Sequence, residues 1–305
     1  MVQSETDSIP CRAESECLAS AAAERPRCVG PWELVSLEAE GRLAQVYRAR
    51  PAGAPASQPA RYALKLLLPK WQQVPQAVDT IRREALVGRT VRNLHLVSIL
   101  AASVRQAPYF VVMPWLTGTT LAQKLSARRT FDLAAALWIT RQAAEALGAL
   151  HAAGWMHGDV KPSNLFISPE GHVTLLDLGF ARRPEETGSA VDRCVLGTCR
   201  YMAPEMITSA IRADIRSDIY SLGTVLFEML AGRPPFLAEN LAELAQQHCQ
   251  SRPPELRRLA PHLPAGVIRL VREMLAKQPL RRPQDPGELI DRLVPMEIAA
   301  FAQRF

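Results

Sequence analysis

The segment His157-Gly158-Asp159-Val160-Lys161-Pro162-Ser163-Asn164 decides how the rest of this chain is read. Two further segments follow it in order: Asp177-Leu178-Gly179, which begins thirteen residues after Asn164, and then Ala203-Pro204-Glu205. An isolated Gly-Asp pair is most often part of a turn, because Asp readily bonds nearby backbone. The fixed offsets of Lys161 and Asn164 from Asp159 favour a chemical role instead.

Asp159, Asn164 and Asp177 are candidate reactive residues because of what each side chain can hold. A loop carboxylate can orient a hydroxyl and accept its proton, which is the task of a general base. An amide oxygen and a second carboxylate are hard ligands of the kind that Mg²⁺ takes together with phosphates and water. The three residues therefore meet the needs of metal-assisted phosphoryl transfer, with Asp159 as the base and Asn164 and Asp177 as metal ligands.

At these motifs the chain resembles protein serine/threonine kinases of the eukaryotic-like, bacterial type, from about Trp32 to about Leu293. The segments Arg82-Arg83-Glu84-Ala85 and 216–223 are those that indicate the bacterial type. The resemblance implies ATP and Mg²⁺ as cofactors, and Ser/Thr hydroxyls of protein substrates as acceptors, with autophosphorylation. It also makes Lys161 a catalytic residue that stabilises the transferring phosphoryl group.

The resemblance further implies a lysine–glutamate pair that holds the nucleotide phosphates. Lys65 ends the apolar strand Tyr62-Ala63-Leu64-Lys65, and Glu84 lies nineteen residues later in a predicted helix. In the family these positions hold the lysine that contacts the α- and β-phosphates and its ion-pair partner. Without Glu84, a lysine at such a position would be read as a solvated strand end.

The loop that covers the phosphates departs from the family pattern. Aligned on Val46, the family's G-x-G-x-x-G-x-V becomes 39–46, with Ala39 in place of the first glycine and Gly41 in place of the second. Glycine serves there because the backbone must approach phosphates closely, so we expect ATP binding to persist in weakened form. The adenine contacts are expected at the junction of the two lobes, from Met113, Pro114 and Leu116.

Other residues are expected to support the site. By resemblance, Glu205 and Arg282 form a buried ion pair, and Asp218 anchors the backbone of the catalytic loop. Thr198 is expected to bond toward Asp159 and Lys161.

Two glycines replace side chains that the family usually has. Gly158 stands where an arginine often pairs with a phosphate on the activation segment, so we expect phosphorylation of Thr187 or Ser189 not to be required, unless Arg182 or Arg183 takes over that role. Gly88 lies one turn after Glu84, and mid-helix glycine costs about 1 kcal/mol relative to alanine. A mobile helix follows as a hypothesis, with a regulatory partner or a dimer acting through it.

The element pattern predicts an α+β chain with a two-lobed protein-kinase-like fold. Short strands and one helix (79–91) form a small antiparallel lobe over 31–115, and long helices form a mainly helical lobe over 116–295. Residues 1–30 are expected to be a flexible tail and 296–305 a C-terminal extension. The site is expected between the lobes.

Composition and charge distribution limit the classes of binding partner and the cellular location that we expect. The net charge is +6, but no run of basic residues exceeds two, which argues against a nucleic-acid surface. No apolar run approaches the roughly 18 residues of a membrane span, and no secretory signal is present, so a cytoplasmic location is expected. The six cysteines lack metal-ligand spacing and favour free thiols, although a disulfide between Cys194 and Cys199 is conceivable.

Two other functional classes stay open. A pseudokinase, which binds or scaffolds without turnover, would fit the eroded glycine loop and Gly88. Small-molecule phosphotransferases have a similar active-site arrangement, with residues like Asp159 and Asn164. Lys161 and the segment 197–205 argue against that class.

Overall fold

We describe the protein from a computed structural model, which covers residues 28–184, 186, 199–208 and 212–303. The N-terminal part is a six-stranded antiparallel sheet in the order β1-β2-β3-β4-β6-β5. Its strands are β1 Cys28–Val29, β2 Trp32–Glu40, β3 Ala44–Pro51, β4 Tyr62–Leu67, β5 Ala101–Ser103 and β6 Phe110–Pro114. The short β1 therefore lies inside the range that was expected to be a tail.

Strand β4 has apolar side chains on both faces, and each face packs on a different cluster. Leu64 and Leu66 join an outer cluster with Tyr47 and Phe110, whereas Leu67 faces the helix that follows. Successive side chains of a strand point to opposite faces, so Lys65 shares the face of Leu67. The alternation thus directs Lys65 toward that helix.

That helix, α1, spans Pro75–Thr90 and begins four residues earlier than the predicted Asp79. Pro75 occupies the first turn, where a missing backbone N–H costs nothing and the fixed φ suits a helix. Its buried side includes Ile81 and Ala85, which pack against Leu67 and Val111 of the sheet. Glu84 lies on the same buried side, and it is a charged residue in an otherwise apolar stripe.

The C-terminal part is built mainly from helices around one large apolar core, beside a small cluster of Cys199, Phe236 and Leu244. These are α2 Leu121–Ala127, α3 Leu133–Ala152, α4 Pro204–Thr208, α5 Ile215–Ala231, α6 Leu241–Gln250, α7 Leu256–Leu259, α8 Ala265–Met274 and α9 Pro286–Ala302. Asp132 caps α3 by accepting a hydrogen bond from the N–H of Ala135, and Gly232 ends α5 in the left-handed conformation. Within the described residues no helix combines the length and the apolarity needed to cross a membrane.

The last helix, α9, runs nine residues past the predicted end at Leu293. Pro295 lies two residues past that predicted end, and proline removes a backbone hydrogen bond inside a helix. The helix continues nonetheless, since it packs along α3 and buries Leu293, Glu297 and Ala300. The Glu297 carboxylate accepts a hydrogen bond from Nε of Arg141 on α3 at 2.8 Å.

A second, three-stranded antiparallel sheet lies at the start of the helical part. Its strands are β7 Thr119–Thr120, β8 Leu165–Ile167 and β9 Val173–Leu175, in that order. The catalytic-loop segment 157–164 leads into β8, and Asp177 follows β9. The α+β, two-lobed kinase-like fold expected from the sequence is confirmed, and the exact domain boundaries stay a prediction.

Candidate active site

The backbone of the segment 157–164 is held by a buried carboxylate from α5. Asp218 accepts hydrogen bonds from the N–H groups of His157 at 2.6 Å and of Gly158 at 2.8 Å. Gly158 has φ +76°, which side chains rarely adopt, and a Cβ there would stand 2.8 Å from the carbonyl oxygen of Phe180. Gly158 departs from the family pattern, and the backbone conformation and the close Phe180 carbonyl give a steric reason for glycine at this position.

The His157 ring connects the two loops that carry the candidate reactive residues. Its Nε2 lies 3.0 Å from the Leu176 carbonyl oxygen, and Nδ1 lies 3.2 Å from the backbone N–H of Asp159. A carbonyl only accepts and an N–H only donates, so the ring is neutral with its proton on Nε2. Burial lowers the pKa of His157, which favours that neutral form.

Asp159, Lys161 and Asn164 form one polar cluster. Nζ of Lys161 lies 2.7 Å from Oδ2 of Asp159, and the Asn164 amide nitrogen donates to the same oxygen at 3.0 Å and to the Asp159 carbonyl at 2.8 Å. Burial raises the pKa of Asp159 to about 6, against the opposing effect of Lys161. Because the amide nitrogen is engaged, the Asn164 oxygen is the atom left to bind a cation.

Asp177 approaches the same cluster from the end of β9 in a left-handed conformation, with φ 62°. It is the one residue other than glycine with positive φ in the described chain, and such strain is commonly found at functional sites. Its Oδ1 lies 2.8 Å from Nζ of Lys65. Burial alone would raise the pKa of Asp177, but the Lys65 ammonium outweighs it and holds the value at about 2. Asp177 is therefore a permanent carboxylate.

Lys65 joins Asp177 to the helix α1. Its ammonium also lies 2.8 Å from Oε2 of Glu84, whose side chain is 2% exposed. Burial lowers the pKa of Lys65, but the carboxylates of Asp177 and Glu84 together raise it above the ordinary value. Burial raises the pKa of Glu84 to about 7 despite the neighbouring ammonium. The lysine is thus held charged between two carboxylates from different segments.

The residues expected to hold Mg²⁺ suit that ion chemically. Asp177 offers carboxylate oxygen and Asn164 an amide oxygen, and Mg²⁺ completes its shell with phosphate oxygens and water. No set of three or more His, Cys, Asp or Glu side chains in the described chain is placed to hold a metal unaided.

The hairpin β2–β3 lies beside Lys65 in the sheet. In its register Ala39 pairs with Val46, and Val46 in turn pairs with Lys65 on β4. The turn is closed by a hydrogen bond of 2.9 Å from the Gly41 N–H to the Ala44 carbonyl. A Cβ at Gly41 would stand 3.2 Å from that carbonyl oxygen. Of the three glycines in the family's motif, this chain therefore keeps the one that lies at the tight turn.

The segment expected to contact adenine connects the sheet to the helical part. Met113 pairs with Ala63 and packs against both the α1 cluster and the main core. Pro114 is the last residue of β6, and the Trp115 N–H donates to the Arg61 carbonyl at 2.9 Å. Leu116 follows and is half-buried.

A buried ion pair between Arg282 and Glu205 supports the segment 203–205, which follows the site in the sequence. Arg282 binds both carboxylate oxygens of Glu205, at 2.6 and 2.9 Å, and Ser217 donates to the same carboxylate at 2.6 Å. Both ion-pair side chains are at most 2% exposed. A bidentate pair with further hydrogen bonds is the geometry that makes a buried ion pair tolerable.

The activation segment lies partly outside the described residues, and this includes Thr187, Ser189, Cys194 and Thr198. Glu186 is described, and its Oε2 lies 3.0 Å from Nη2 of Arg83 on α1. The Arg182 side chain is buried, and its Nε has no hydrogen-bond partner among the described residues. Phosphorylation-independent activity therefore stays a prediction.

Gly88 shows packing that the sequence pattern did not reveal. A Cβ there would stand 2.5 Å from Cγ1 of Ile99 and 3.3 Å from Cδ1 of Leu178. Leu178, the apolar residue between Asp177 and Gly179, is fully buried. The glycine lets α1 pack closely against these two residues, which is a reason for it other than helix mobility.

Sequence reasoning also missed Tyr201 and Glu228. The Tyr201 hydroxyl donates to Oε2 of Glu228 at 2.8 Å, which ties the segment before α4 to α5. The signal was present, because Glu228 interrupts the apolar run 222–230. A charged residue in such a run requires a partner, but the sequence does not name it.

Comparison with known proteins agrees with this geometry. The family model described as the protein kinase domain matches residues 39–292. The chain is 32% identical to serine/threonine-protein kinase PknD of Mycobacterium tuberculosis over 261 residues, which are 85% of this chain and 39% of PknD. It is 30% identical to PrkC of Bacillus subtilis over 256 residues, 84% of this chain and 39% of PrkC.

Similarity to PknA of Mycobacterium tuberculosis is 30% identity over 267 residues, 86% of this chain and 60% of PknA. The chain thus spans less than two thirds of the length of these relatives. The match nevertheless includes every candidate site residue from Ala39 to Asp177. The chain belongs to the protein kinase domain family, and its relatives are bacterial serine/threonine protein kinases.

Proposed function

We propose that this chain transfers the γ-phosphoryl group of ATP, with Mg²⁺, to Ser and Thr hydroxyls of protein substrates, including its own. The observation that carries the proposal is the Lys65 ammonium held 2.8 Å from both Glu84 and Asp177. That lysine serves to position phosphates, and Asp177 serves to hold a metal. A scaffold without turnover has no need to keep both in working geometry.

Asp159 acts as the base in the proposed reaction. Its carboxylate accepts a hydrogen bond from the acceptor hydroxyl and takes up the proton as the hydroxyl oxygen bonds to the γ-phosphorus. The bond from that phosphorus to the bridging oxygen breaks, and ADP leaves. Lys161, 2.7 Å from the base, neutralises charge on the group in transfer.

Mg²⁺, when bound, supplies positive charge along the phosphate oxygens. Asn164 and Asp177 are the residues that would hold it. Lys65 orients the α- and β-phosphates beneath Ala39, Gly41 and Val46, and adenine lies against Met113, Pro114 and Leu116. These roles are proposals that fit the positions of the residues.

The test is transfer of ³³P from γ-labelled ATP to the chain itself and to a generic Ser/Thr substrate, with and without Mg²⁺. We expect label on Ser or Thr that Asp159→Asn removes, since an amide cannot accept the proton. Asp291→Asn is the matched control, because Asp291 is exposed on α9.

Two results would overturn the proposal. Nucleotide-dependent thermal stabilisation without transfer to any acceptor would identify a pseudokinase. Transfer to small alcohols or amines but not to protein would identify a small-molecule phosphotransferase. The cytoplasmic location and a partner or dimer at α1 stay predictions from the sequence.

A further inference from the structure

Folding gathers basic residues that lie far apart in the sequence. Lys124 lies in the last turn of α2, Arg128 and Arg129 follow that helix, and Arg233 follows the end of α5. Two contacts bring these ends together. The Phe131 N–H donates to the Met229 carbonyl at 2.8 Å, and the Arg129 carbonyl lies 3.1 Å from where a Gly232 Cβ would stand. We call the group Lys124, Arg128, Arg129 and Arg233 the basic corner.

The basic corner forms no ion pair with the described residues. None of its four side chains pairs with a carboxylate of a described residue, and the three arginines are exposed. Two carboxylates adjoin the contact between Phe131 and Met229 in the sequence: Asp132, which caps α3, and Glu228, which accepts from Tyr201. They offset only part of the four positive charges of the basic corner. The excess positive charge attracts ligands of the opposite sign.

The basic corner lies within reach of a peptide bound at Asp159. Helix α5 joins the two places, because Asp218 near its start holds the catalytic loop and Met229 near its end contacts Phe131. Eleven residues of helix span about 16 Å at 1.5 Å per residue. An extended peptide covers that distance in about five residues at 3.3 Å each. Helix α2 also packs against the turn Pro162–Asn164.

We propose that the basic corner binds acidic side chains of the protein substrate, about four to six residues from the phosphorylated Ser or Thr. The inference rests on the proposed kinase activity and adds the class of substrate. A nucleic-acid ligand is disfavoured, since the ring nearest these cations, Phe131, is buried and covered by Arg128 with 5.3 Å between the guanidinium and the ring centroid.

The experiment compares kcat/KM for four peptides with one central Ser: a neutral one, one with acidic residues four to six positions before it, one with them after it, and one with basic residues. We expect one acidic peptide to exceed the neutral peptide by about tenfold, the scale of a few exposed ion pairs. The advantage shrinks at 0.5 M salt because screening weakens exposed pairs.

The variant Arg129→Glu/Arg233→Glu tests the surface itself. We expect it to abolish or invert the ratio of acidic to neutral kcat/KM. The double variant Arg105→Glu/Arg269→Glu changes the net charge equally at exposed sites elsewhere, and its ratio should match the wild type. The ratio is measured within each variant, so partial misfolding does not mimic the effect.

The outcomes separate two failures. No transfer to any peptide or to the chain itself would refute the proposed function. Equal rates on neutral and acidic peptides would refute the substrate class alone. Equal rates, together with weaker binding of the Arg129→Glu/Arg233→Glu variant to vesicles rich in phosphatidylserine, would assign the basic corner to a membrane surface instead.

Discussion

The contact at Gly88 leads to a prediction about α1 that separates close packing from mobility. A methyl group at this position would stand 2.5 Å from Cγ1 of Ile99, closer than real carbon atoms approach. Gly88→Ala alone would gain about 1 kcal/mol of helix propensity. Forcing extra volume into a packed site costs about 1–3 kcal/mol. The net change in unfolding free energy should be a loss of about 0–2 kcal/mol.

Shortening the Ile99 side chain should reverse the sign of the stability change that Gly88→Ala causes. Ile99→Ala alone costs about 2–5 kcal/mol, because it leaves a cavity against α1. In that background the nearest atoms to the added methyl group are the Cβ of residue 99 and Cδ1 of Leu178, both at 3.3 Å, which need to shift by only a few tenths of an ångström. Gly88→Ala should therefore stabilise by up to its propensity gain of about 1 kcal/mol. The two substitutions are therefore coupled by about 1–3 kcal/mol.

The assay is urea unfolding of the four members of the cycle, followed by circular dichroism at one pH and salt concentration. Kinetics report the same contact, since Glu84 lies one turn before Gly88. Displacing α1 should raise KM for ATP, and Ile99→Ala should partly restore it. If the glycine existed for mobility, Gly88→Ala would stabilise equally in both backgrounds. Such additivity would refute the packing argument.

Three further predictions follow from the site. Burial holds the pKa of Asp159 at about 6, and the base must be unprotonated, so kcat/KM should fall as pH decreases through about 6. Lys65→Met should lower kcat/KM by at least about 100-fold, because it leaves Glu84 and Asp177 without their shared cation. Arg282→Ala should cost about 3–5 kcal/mol in urea unfolding, because the buried Glu205 loses its ion-pair partner and keeps only the hydrogen bond from Ser217.

The three predictions have matched control variants and results that would contradict them. Asp291→Asn changes an exposed carboxylate and should leave the acid limb near pH 6 unchanged, and a limb near 4 in the wild type would contradict the burial argument. Lys70→Met changes an exposed lysine and should retain activity. Arg281→Ala removes the neighbouring exposed arginine, and a loss equal to that of Arg282→Ala would count against the buried pair.

The sequence predicted those parts of the site whose spacing is local. Asp159, Lys161 and Asn164 lie within six residues, and a short loop brings them together wherever it lies in the fold. Lys65 and Glu84 were predicted as a pair from the resemblance to the kinase family. The structure places them 2.8 Å apart, on the face where strand β4 meets α1.

Contacts between distant segments could not be read in this way. The contact of Ile99 and Leu178 with Gly88 depends on how the loop after α1 packs against the turn after β9. Neither segment has a periodic sequence pattern that would predict this contact. The same holds for helix ends: α9 passes Pro295 because packing on α3 outweighs the lost hydrogen bond. Local propensity is a weak guide when tertiary burial opposes it.

The candidate site depends on two supports that act from opposite sides. Asp218 holds the catalytic loop from α5, and the contact among Gly88, Ile99 and Leu178 sets where α1 lies against the segment that carries Asp177. Lys65 completes the link, since its two ion pairs are made only when α1 and Asp177 are both in place. A change at Gly88 should therefore affect the nucleotide contacts proposed for Lys65 and leave the Asp159 cluster intact. A KM effect without a change in the acid limb near pH 6 is the expected signature.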